Sequence, residues 1–387
     1  MKKKNLIATA CALYFTYFIH GIGVSILSQY KEALVGAWGA PGIATVLQVI
    51  AALGLGRLIA LPLSGYASDR FGRKVSGLVG VAFYVLYFIG IAASKTARGA
   101  YALAVFGGIA NSFLDTCVTP TVLEIFGERG AKANMFTKFS MSIGQFVLPF
   151  IIGMASAAAL SYRAVFILMG VLIAIDGVLI AFLPFPEMQA APKDADARFH
   201  IRREVLPVVF MGFTTTATFT LWLNCNQELG ALYGMADPSK IQAFYALGTI
   251  LAILLTAFVV LKKIDTEDVL ILYPAICLIA LAIVYFVRTP LSAVIGGFLI
   301  GYAGAGGVLQ LVVAEANAYY PLHKGKITSV VMIASSIANY VVLALAGVIT
   351  HAAGEAAPLA IVVLNMAFTG LSVLFALYVK RKKRVRA

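Results

Sequence analysis

Long apolar runs separated by short polar stretches dominate the pattern along the chain. A helix that crosses a bilayer needs about 20 consecutive, largely apolar residues. The pattern therefore predicts an all-α membrane protein with twelve transmembrane helices. The runs cover about 5–28, 42–66, 75–93, 99–122, 133–158, 163–185, 205–229, 240–261, 268–287, 290–318, 326–350 and 356–379.

The longest clearly polar interruption of this pattern, residues 186–204, has six runs on each side. We therefore predict three parts: an N-terminal six-helix bundle over 1–186, a cytoplasmic linker over 187–204 and a C-terminal six-helix bundle over 205–387. An even number of spans also agrees with both termini lying on one side of the membrane.

The two halves resemble one another weakly. A shift of 195 residues places Asn111–Val147 on Gly306–Val342, with Ser140 on Ser335. This indicates a duplicated six-helix unit. Paired repeats of this kind place a binding site at their interface, near the bilayer midplane.

Composition and charge lead to the same class of protein. Of the 387 residues, 61% are hydrophobic and 12% charged, which is more apolar surface than a soluble chain of this size can cover. Of the 30 Lys and Arg residues, 22 fall on one predicted side, 6 on the other, and Arg57 and Lys138 lie inside apolar runs. Basic loops stay in the cytoplasm, so both termini are predicted to be cytoplasmic, in the plasma (inner) membrane. The asymmetry explains the net charge of +13 without nucleic acid as a partner.

Other classes of function find little support in the sequence. The four cysteines lie singly within apolar runs, and no pair has metal-ligand spacing. The chain contains neither a phosphate-binding Gly-x-x-x-x-Gly-Lys-Ser/Thr loop nor a His-Glu-x-x-His motif. We therefore expect neither an enzyme nor an ATP-driven pump, and neither a metal nor a cofactor.

A ten-residue turn between the second and third runs carries the most distinctive motif. Residues 65–74 read Gly-Tyr-Ala-Ser-Asp-Arg-Phe-Gly-Arg-Lys. So short a turn makes the flanking helices antiparallel, and Gly72 can take a positive φ for the reversal. The cations should hold the loop in the cytoplasm. The carboxylate of Asp69 is placed to accept hydrogen bonds from a helix N-terminus or an arginine.

This turn resembles the loop signature of the major facilitator superfamily of transporters, Gly-x-x-x-Asp-Arg/Lys-x-Gly-Arg/Lys-Arg/Lys. The fixed positions are matched by Gly65, Asp69, Arg70, Gly72, Arg73 and Lys74. The resemblance implies the major facilitator fold, in which two six-helix bundles rock about a central site, and a monomer. It also implies that Asp69 ties the bundles together near Gly325 and so favours the outward-open state.

Asp115 is the strongest candidate for a functional residue, because placing an ionisable group deep in an apolar run costs free energy and therefore indicates a function. Asn111, Asp115 and Thr119 recur at i, i+4 and i+8 on one helix face. A low dielectric favours the neutral form of a carboxylate, which lets it exchange protons near neutral pH. We predict Asp115 as the proton-coupling residue; the alternative is a static ion pair with Arg57 or Lys138.

Arg57 lies eight residues inside Gly65, about 12 Å from the cytoplasmic end of its helix. Its permanent charge and planar fork suit a carboxylate or phosphate. Two interpretations follow from its position. Arg57 either clamps an anionic substrate or permanently neutralises Asp115.

Lys138 belongs to a polar stripe on the fifth run, with Asn134, Met141 and Gln145 at helical spacing. A stripe of this polarity should face water rather than lipid. Lysine can lose its charge when buried, so Lys138 could respond to Asp115 or to the substrate. The competing interpretation is a structural pair with Asp176 of the sixth run.

Neutral polar side chains on the predicted cavity faces of both halves suit a hydroxylated solute. Each one alone is more typical of hydrogen bonding between helices. The predicted substrate-binding set comprises Arg57, Lys138, Asn111, Gln145, His20, Tyr17, Asn224, Gln227, Gln310, Asn317, Ser335 and Asn339.

Residues 111–120 show a second, local resemblance, to the fourth span of fucose-permease-like sugar:proton symporters. The shared pattern is an acid followed by threonine and, four residues further on, proline. The resemblance implies that Asp115 is the proton carrier and that Lys138 contacts the sugar. The chain departs from that family because its first span has no acid and Arg57 has no counterpart.

With Arg57 and Lys138 against Asp115, the cavity carries net positive charge if Asp176 lies outside it. This favours a small hydroxylated carboxylate as the solute. We therefore expect a secondary active transporter for a small polar solute, a hydroxylated organic anion, working by proton-coupled alternating access. Its partners would be the solute, protons and the lipid bilayer. The alternatives are a neutral sugar:proton symporter, a drug:proton antiporter and a receptor that transports nothing.

Overall fold

The computed structural model describes residues 6–186, 200–320 and 324–384. Regular structure in these ranges is helical. The α-helices are α1 (Leu6–Gln29), α2 (Lys31–Trp38), α3 (Ile43–Phe71), α4 (Arg73–Ala93), α5 (Ala97–Phe126), α6 (Gly130–Ala157), α7 (Tyr162–Phe182), α8 (Leu206–Leu232), α9 (Lys240–Phe258), α10 (Thr266–Val287), α11 (Pro290–Ile300), α12 (Val308–Tyr319), α13 (Lys324–Ala353) and α14 (Ala357–Arg384).

Eleven stretches of the described residues are long and apolar enough to cross a membrane. The last of them, Lys326–Lys382, contains both α13 and α14, which are separated by a short 3-10 turn at Gly354–Ala356. Another, Pro290–Tyr319, contains α11 and α12. Counted by crossings, the described chain has twelve, which confirms the predicted all-α architecture.

The helices group into two compact units, Met1–Gln189 and Ala190–Ala387. The first contains α1–α7 and the second α8–α14. Residues 187–199 of the predicted linker lie outside the described residues. The linker and its exact boundaries therefore stay a prediction.

Glycines allow the closest helix approach in the first unit. Gly56 on α3 faces the backbone of Val105, and Gly108 on α5 faces the backbone of Leu53. A Cβ added at either glycine would lie 2.0 or 2.1 Å from the facing carbonyl oxygen. Backbones pack this closely only where small residues line the interface. The result is that α5, which carries Asp115, lies directly against α3, which carries Arg57.

The second unit repeats this crossing on its own helices. Gly248 on α9 faces the carbonyl of Phe298, and Gly301 faces that of Tyr245, with added Cβ atoms 2.1 and 2.0 Å from those oxygens. Gly248 and Gly301 follow their counterparts in the first unit by 192 and 193 positions. The internal repeat thus has a structural counterpart, at a shift slightly shorter than the one found by comparing sequences.

The tenth predicted span is discontinuous, and the apolar pattern did not predict this. After α11 the chain forms a π-helical turn over Gly301–Ala305. It then passes through Gly307 at φ +107°, a conformation that favours glycine, before α12 begins. An apolar run shows that a segment is buried, but it does not show where the backbone hydrogen-bonding pattern of the helix changes. The break could therefore not be predicted from the sequence.

Candidate functional site

Three helices of the first unit converge on the carboxylate of Asp115. Arg57 Nη2 on α3 donates to Asp115 Oδ2 at 2.7 Å. The Tyr17 hydroxyl on α1 donates to Asp115 Oδ1 at 2.5 Å. Each carboxylate oxygen therefore has a hydrogen-bond donor, and Arg57 and Tyr17 stabilise the negative charge of Asp115.

This ion pair is enclosed but not sealed. The side chain of Asp115 is 24% exposed and that of Arg57 16%, whereas Tyr17 is fully buried. The buried Nε of Arg57 makes no hydrogen bond to another described residue. The guanidinium therefore keeps donor capacity for a further acceptor.

A backbone contact fixes α5 against α3 beside the pair. The Ser112 hydroxyl donates to the backbone oxygen of Arg57 at 2.8 Å. It lies one turn before Asp115, next to the Gly108 crossing. Sequence reasoning missed Ser112, because an isolated serine in an apolar run carries no distinctive pattern.

A second hydrogen-bonded group lies next to the first. The Tyr84 hydroxyl on α4 donates to Asn111 Oδ1 and lies 2.6 Å from His20 Nδ1. The His20 ring also contacts the Tyr17 ring, with centroids 5.2 Å apart. The structure thus brings together four predicted residues, His20, Tyr17, Asn111 and Asp115. Tyr84 was missed, since a tyrosine within an aromatic apolar run is typical of a core position.

Lys138 on α6 contributes charge at longer range. Its ammonium interacts electrostatically with Asp115, Arg57 and His20. The ion pair itself forms between Asp115 and Arg57. Gln145, on the same helix, is buried.

Asp176 lies apart from this cluster. Its carboxylate accepts a hydrogen bond from the Thr16 hydroxyl at 2.5 Å and is buried. Its described partner is therefore Thr16 of α1, not Lys138. The cluster of Arg57, Lys138 and Asp115 consequently contains two basic side chains and one carboxyl group.

In the second unit, the predicted polar residues mostly bond to one another. Thr216 donates to Ser335 at 2.8 Å, and Thr220 donates to Asn339 Oδ1 at 2.6 Å, which ties α8 to α13. Asn224 donates to the backbone oxygen of Thr220 at 2.9 Å. These bonds fit the interpretation of helix–helix hydrogen bonding.

The other three predicted residues of this unit are more accessible. Gln310 is exposed and Gln227 is half-buried. Asn317 is half-buried and accepts a hydrogen bond from Thr328 at 3.1 Å. A substrate-binding role for the residues of the second unit stays a prediction.

The predicted ten-residue turn is much shorter in the structure, because residues 65–71 continue α3 and α4 begins at Arg73, so the chain reverses at Gly72. Arg73 connects this reversal to its surroundings. Its Nη1 donates to Asp69 Oδ1 at 2.7 Å and to Ser68 Oγ at 2.8 Å, and its Nε lies 3.6 Å from Glu124 Oε1 of α5. Gly72 has φ +98°, as predicted for the reversal. Asp69 is 74% exposed, so its carboxylate keeps capacity for another donor. The predicted contact of Asp69 near Gly325 stays a prediction.

Fold and site together define a multi-pass membrane transporter. Residues 13–231, more than half of the chain, match the Major Facilitator Superfamily. The chain belongs to the major facilitator superfamily, a family of transporters.

Three similar proteins come from bacteria. Inner membrane transport protein YdiM of Escherichia coli (strain K12) is 31% identical over 351 residues, which cover 88% of this chain and 86% of that protein. Inner membrane transport protein YdiN of the same organism is 29% identical over 383 residues, covering 97% and 90%. Multidrug resistance protein 1 of Bacillus subtilis (strain 168) is 23% identical over 241 residues, covering 60% and 59%.

Solved structures share the fold. The inward open conformation of the xylose transporter XylE from E. coli superposes with a TM-score of 0.74 at 15% identity, covering 97% of this chain and 95% of that one. The nucleoside transporter NupG superposes with a TM-score of 0.75 at 11% identity, covering 97% and 99%. Identities this low show the architecture alone.

Proposed function

We propose that this transporter moves a small hydroxylated organic anion together with protons, by alternating access. The observation that carries the proposal is the partly exposed Arg57–Asp115 ion pair, on which Lys138 acts as a second cation. A site with one carboxylate, the permanent positive charge of Arg57 and a second basic side chain attracts an anion and repels a cation. We further propose that the protein acts as a monomer in the plasma membrane with both termini cytoplasmic. The charge asymmetry of the loops supports this orientation.

Competition for Arg57 would couple the anion to the proton. When Asp115 takes up a proton it loses its charge, and the guanidinium of Arg57 is released. The planar fork of Arg57 then suits the carboxylate of the solute. When Asp115 gives up the proton, its carboxylate recaptures Arg57 and displaces the anion. Proton and anion would therefore be bound together and released together, which is symport.

The second candidate is drug:proton antiport. It is favoured by the relatives that carry the name multidrug resistance protein. A cationic drug would meet the charges of Arg57 and Lys138 in the first unit, and Coulomb repulsion in a low dielectric is costly. We therefore place anion symport first.

Arg57→Ala should abolish stabilisation by organic acids, because it removes the fork that would bind the carboxylate. The measurement is a thermal-shift screen of sugars, polyols and organic acids on purified protein. We expect at least one acid to raise the unfolding temperature of the unaltered chain and none to raise that of Arg57→Ala.

The matched control is Arg163→Ala. Arg163 is an exposed arginine at the start of α7, and its loss should leave the response to acids unchanged. Equal stabilisation of Arg57→Ala and the unaltered chain, or stabilisation of both by neutral sugars alone, would refute anion binding by Arg57.

Asp69→Asn should shift the conformational distribution toward the inward-open state, because it removes the charge proposed to hold the two bundles together. Spin-label distances between the bundles would report the distribution. Asp265→Asn, which alters an exposed acid just before α10, serves as the control. An unaltered distribution in Asp69→Asn would rule out the latch.

A further inference from the structure

The Tyr84 hydroxyl sits between two buried polar groups. The side chain is completely buried on α4. Its hydroxyl donates to Asn111 Oδ1 on α5 and lies 2.6 Å from His20 Nδ1 on α1. A tyrosine hydroxyl has one proton to donate. With that proton donated to Asn111, the hydroxyl is left to accept a hydrogen bond from His20, which requires the proton between them to be on Nδ1.

This assignment determines the chemistry of the other ring nitrogen. In a neutral imidazole one nitrogen donates and the other accepts. With the proton on Nδ1, Nε2 carries a lone pair and no proton. The ring lies within the electrostatic reach of Arg57, Lys138 and Asp115. His20 is buried, with 5% of the residue exposed.

We propose that Tyr84 is a positioning residue that holds His20 in the Nδ1–H tautomer, so that Nε2 accepts a hydrogen bond from a hydroxyl group of the solute. This inference rests on the proposed function, because it takes the solute to be an organic anion whose carboxylate binds Arg57. The first unit would then recognise a hydroxylated acid by two kinds of contact. Cations bind the carboxylate, and a neutral acceptor binds the hydroxyl.

Selectivity follows from the cost of leaving Nε2 without a donor. An acid of the same carbon skeleton that lacks hydroxyl groups would still meet the cations but would bury the lone pair of Nε2 unpaired. A buried polar group left without its partner weakens binding by about 10- to 100-fold. The site should therefore prefer the hydroxylated acid by that factor.

The same helix offers a matched control in Tyr87. It too is completely buried, and its ring contacts that of Tyr84. Its hydroxyl donates to the backbone oxygen of Gly23 at 3.0 Å. Tyr87→Phe and Tyr84→Phe therefore remove the same atom from neighbouring buried sites, but Tyr84→Phe removes the partner of His20.

The first arm of the test needs no solute. Protein with nitrogen-15 in its four histidines is studied by NMR, and the His20 signals are assigned by their loss in His20→Gln. We expect the Nδ1–H signature in the unaltered chain and in Tyr87→Phe, and a shift toward the Nε2–H form in Tyr84→Phe. An Nε2–H signature in the unaltered chain would overturn the proposal even if no variant folded.

The second arm uses gluconate against hexanoate, and glycerate against propionate, as pairs of equal carbon skeleton. Tyr84→Phe should raise KM for the hydroxylated acid about tenfold and leave kcat and the KM of its partner unchanged. If the Nδ1–H signature is present but Tyr84→Phe keeps the full preference for the hydroxylated acid, Nε2 does not bind the hydroxyl group of the solute. If the unaltered chain binds these acids no better than Arg57→Ala, the proposed anion function fails, and the recognition of hydroxyl groups fails with it, whereas the tautomer assignment stands.

Discussion

Asparagine in place of Asp115 should abolish accumulation of the solute driven by a pH gradient and leave solute exchange intact. Asparagine has nearly the shape of aspartate but cannot take up or release a proton. For one proton per solute, a gradient of one pH unit is worth about 1.4 kcal/mol, which corresponds to about tenfold accumulation. In vesicles containing the variant we expect a ratio of about one under the same gradient.

The control for this experiment is Asp176→Asn. Asp176 is also a buried acid within a span, but its described partner is Thr16, outside the cluster of Arg57 and Lys138. Its loss should leave pH-driven accumulation intact. If Asp115→Asn accumulates solute normally, Asp115 is not the coupling group. If it loses exchange as well and unfolds more readily, the pair with Arg57 is structural, because breaking a buried ion pair strands the remaining charge.

Alanine in place of Gly108 should lower the thermal stability and weaken binding of the anion. The added Cβ would lie 2.1 Å from the carbonyl oxygen of Leu53 and 2.7 Å from the backbone nitrogen of Arg57. Backbone atoms cannot move aside as a flexible side chain can, so α3 and α5 must separate. Overpacking of this kind costs about 1–3 kcal/mol. The shift also displaces Arg57 from Asp115. Unfolding temperature and the thermal-shift response to acids measure the two effects.

Gly153→Ala is the matched control. Gly153 lies within α6, and an added Cβ there meets no atom within 4 Å. Alanine is a better helix former than glycine by about 1 kcal/mol, so this variant should be as stable as the unaltered chain or slightly more stable. Equal unfolding temperatures for the two alanine variants would mean that the α3–α5 crossing adapts without cost.

The candidate site could be predicted in part, and its residues show why. Asp115, Arg57 and Lys138 were found because a charge within an apolar run is costly wherever the helix points. The same reasoning did not decide whether Arg57 pairs with Asp115 or binds an anionic solute, because a single sequence does not show which charged side chains face one another. Tyr84 and Ser112 were not predicted, because tyrosine and serine occur in transmembrane helices for many reasons. Their roles depend on partners 27 and 55 positions away in the chain.

The sequence by itself determined the class of the fold. The thickness of the bilayer sets the length of each apolar run, and the excess of positive charge on one set of loops predicts the orientation of the chain in the membrane. Both features are visible in short stretches of the sequence. The tertiary structure alone decided that Arg57 bonds to Asp115, that Asp176 bonds to Thr16 and that the tenth span is broken. These features depend on how closely backbones approach and on which hydrogen-bond partners then come within reach. Both are relations between distant segments, and no local pattern encodes them.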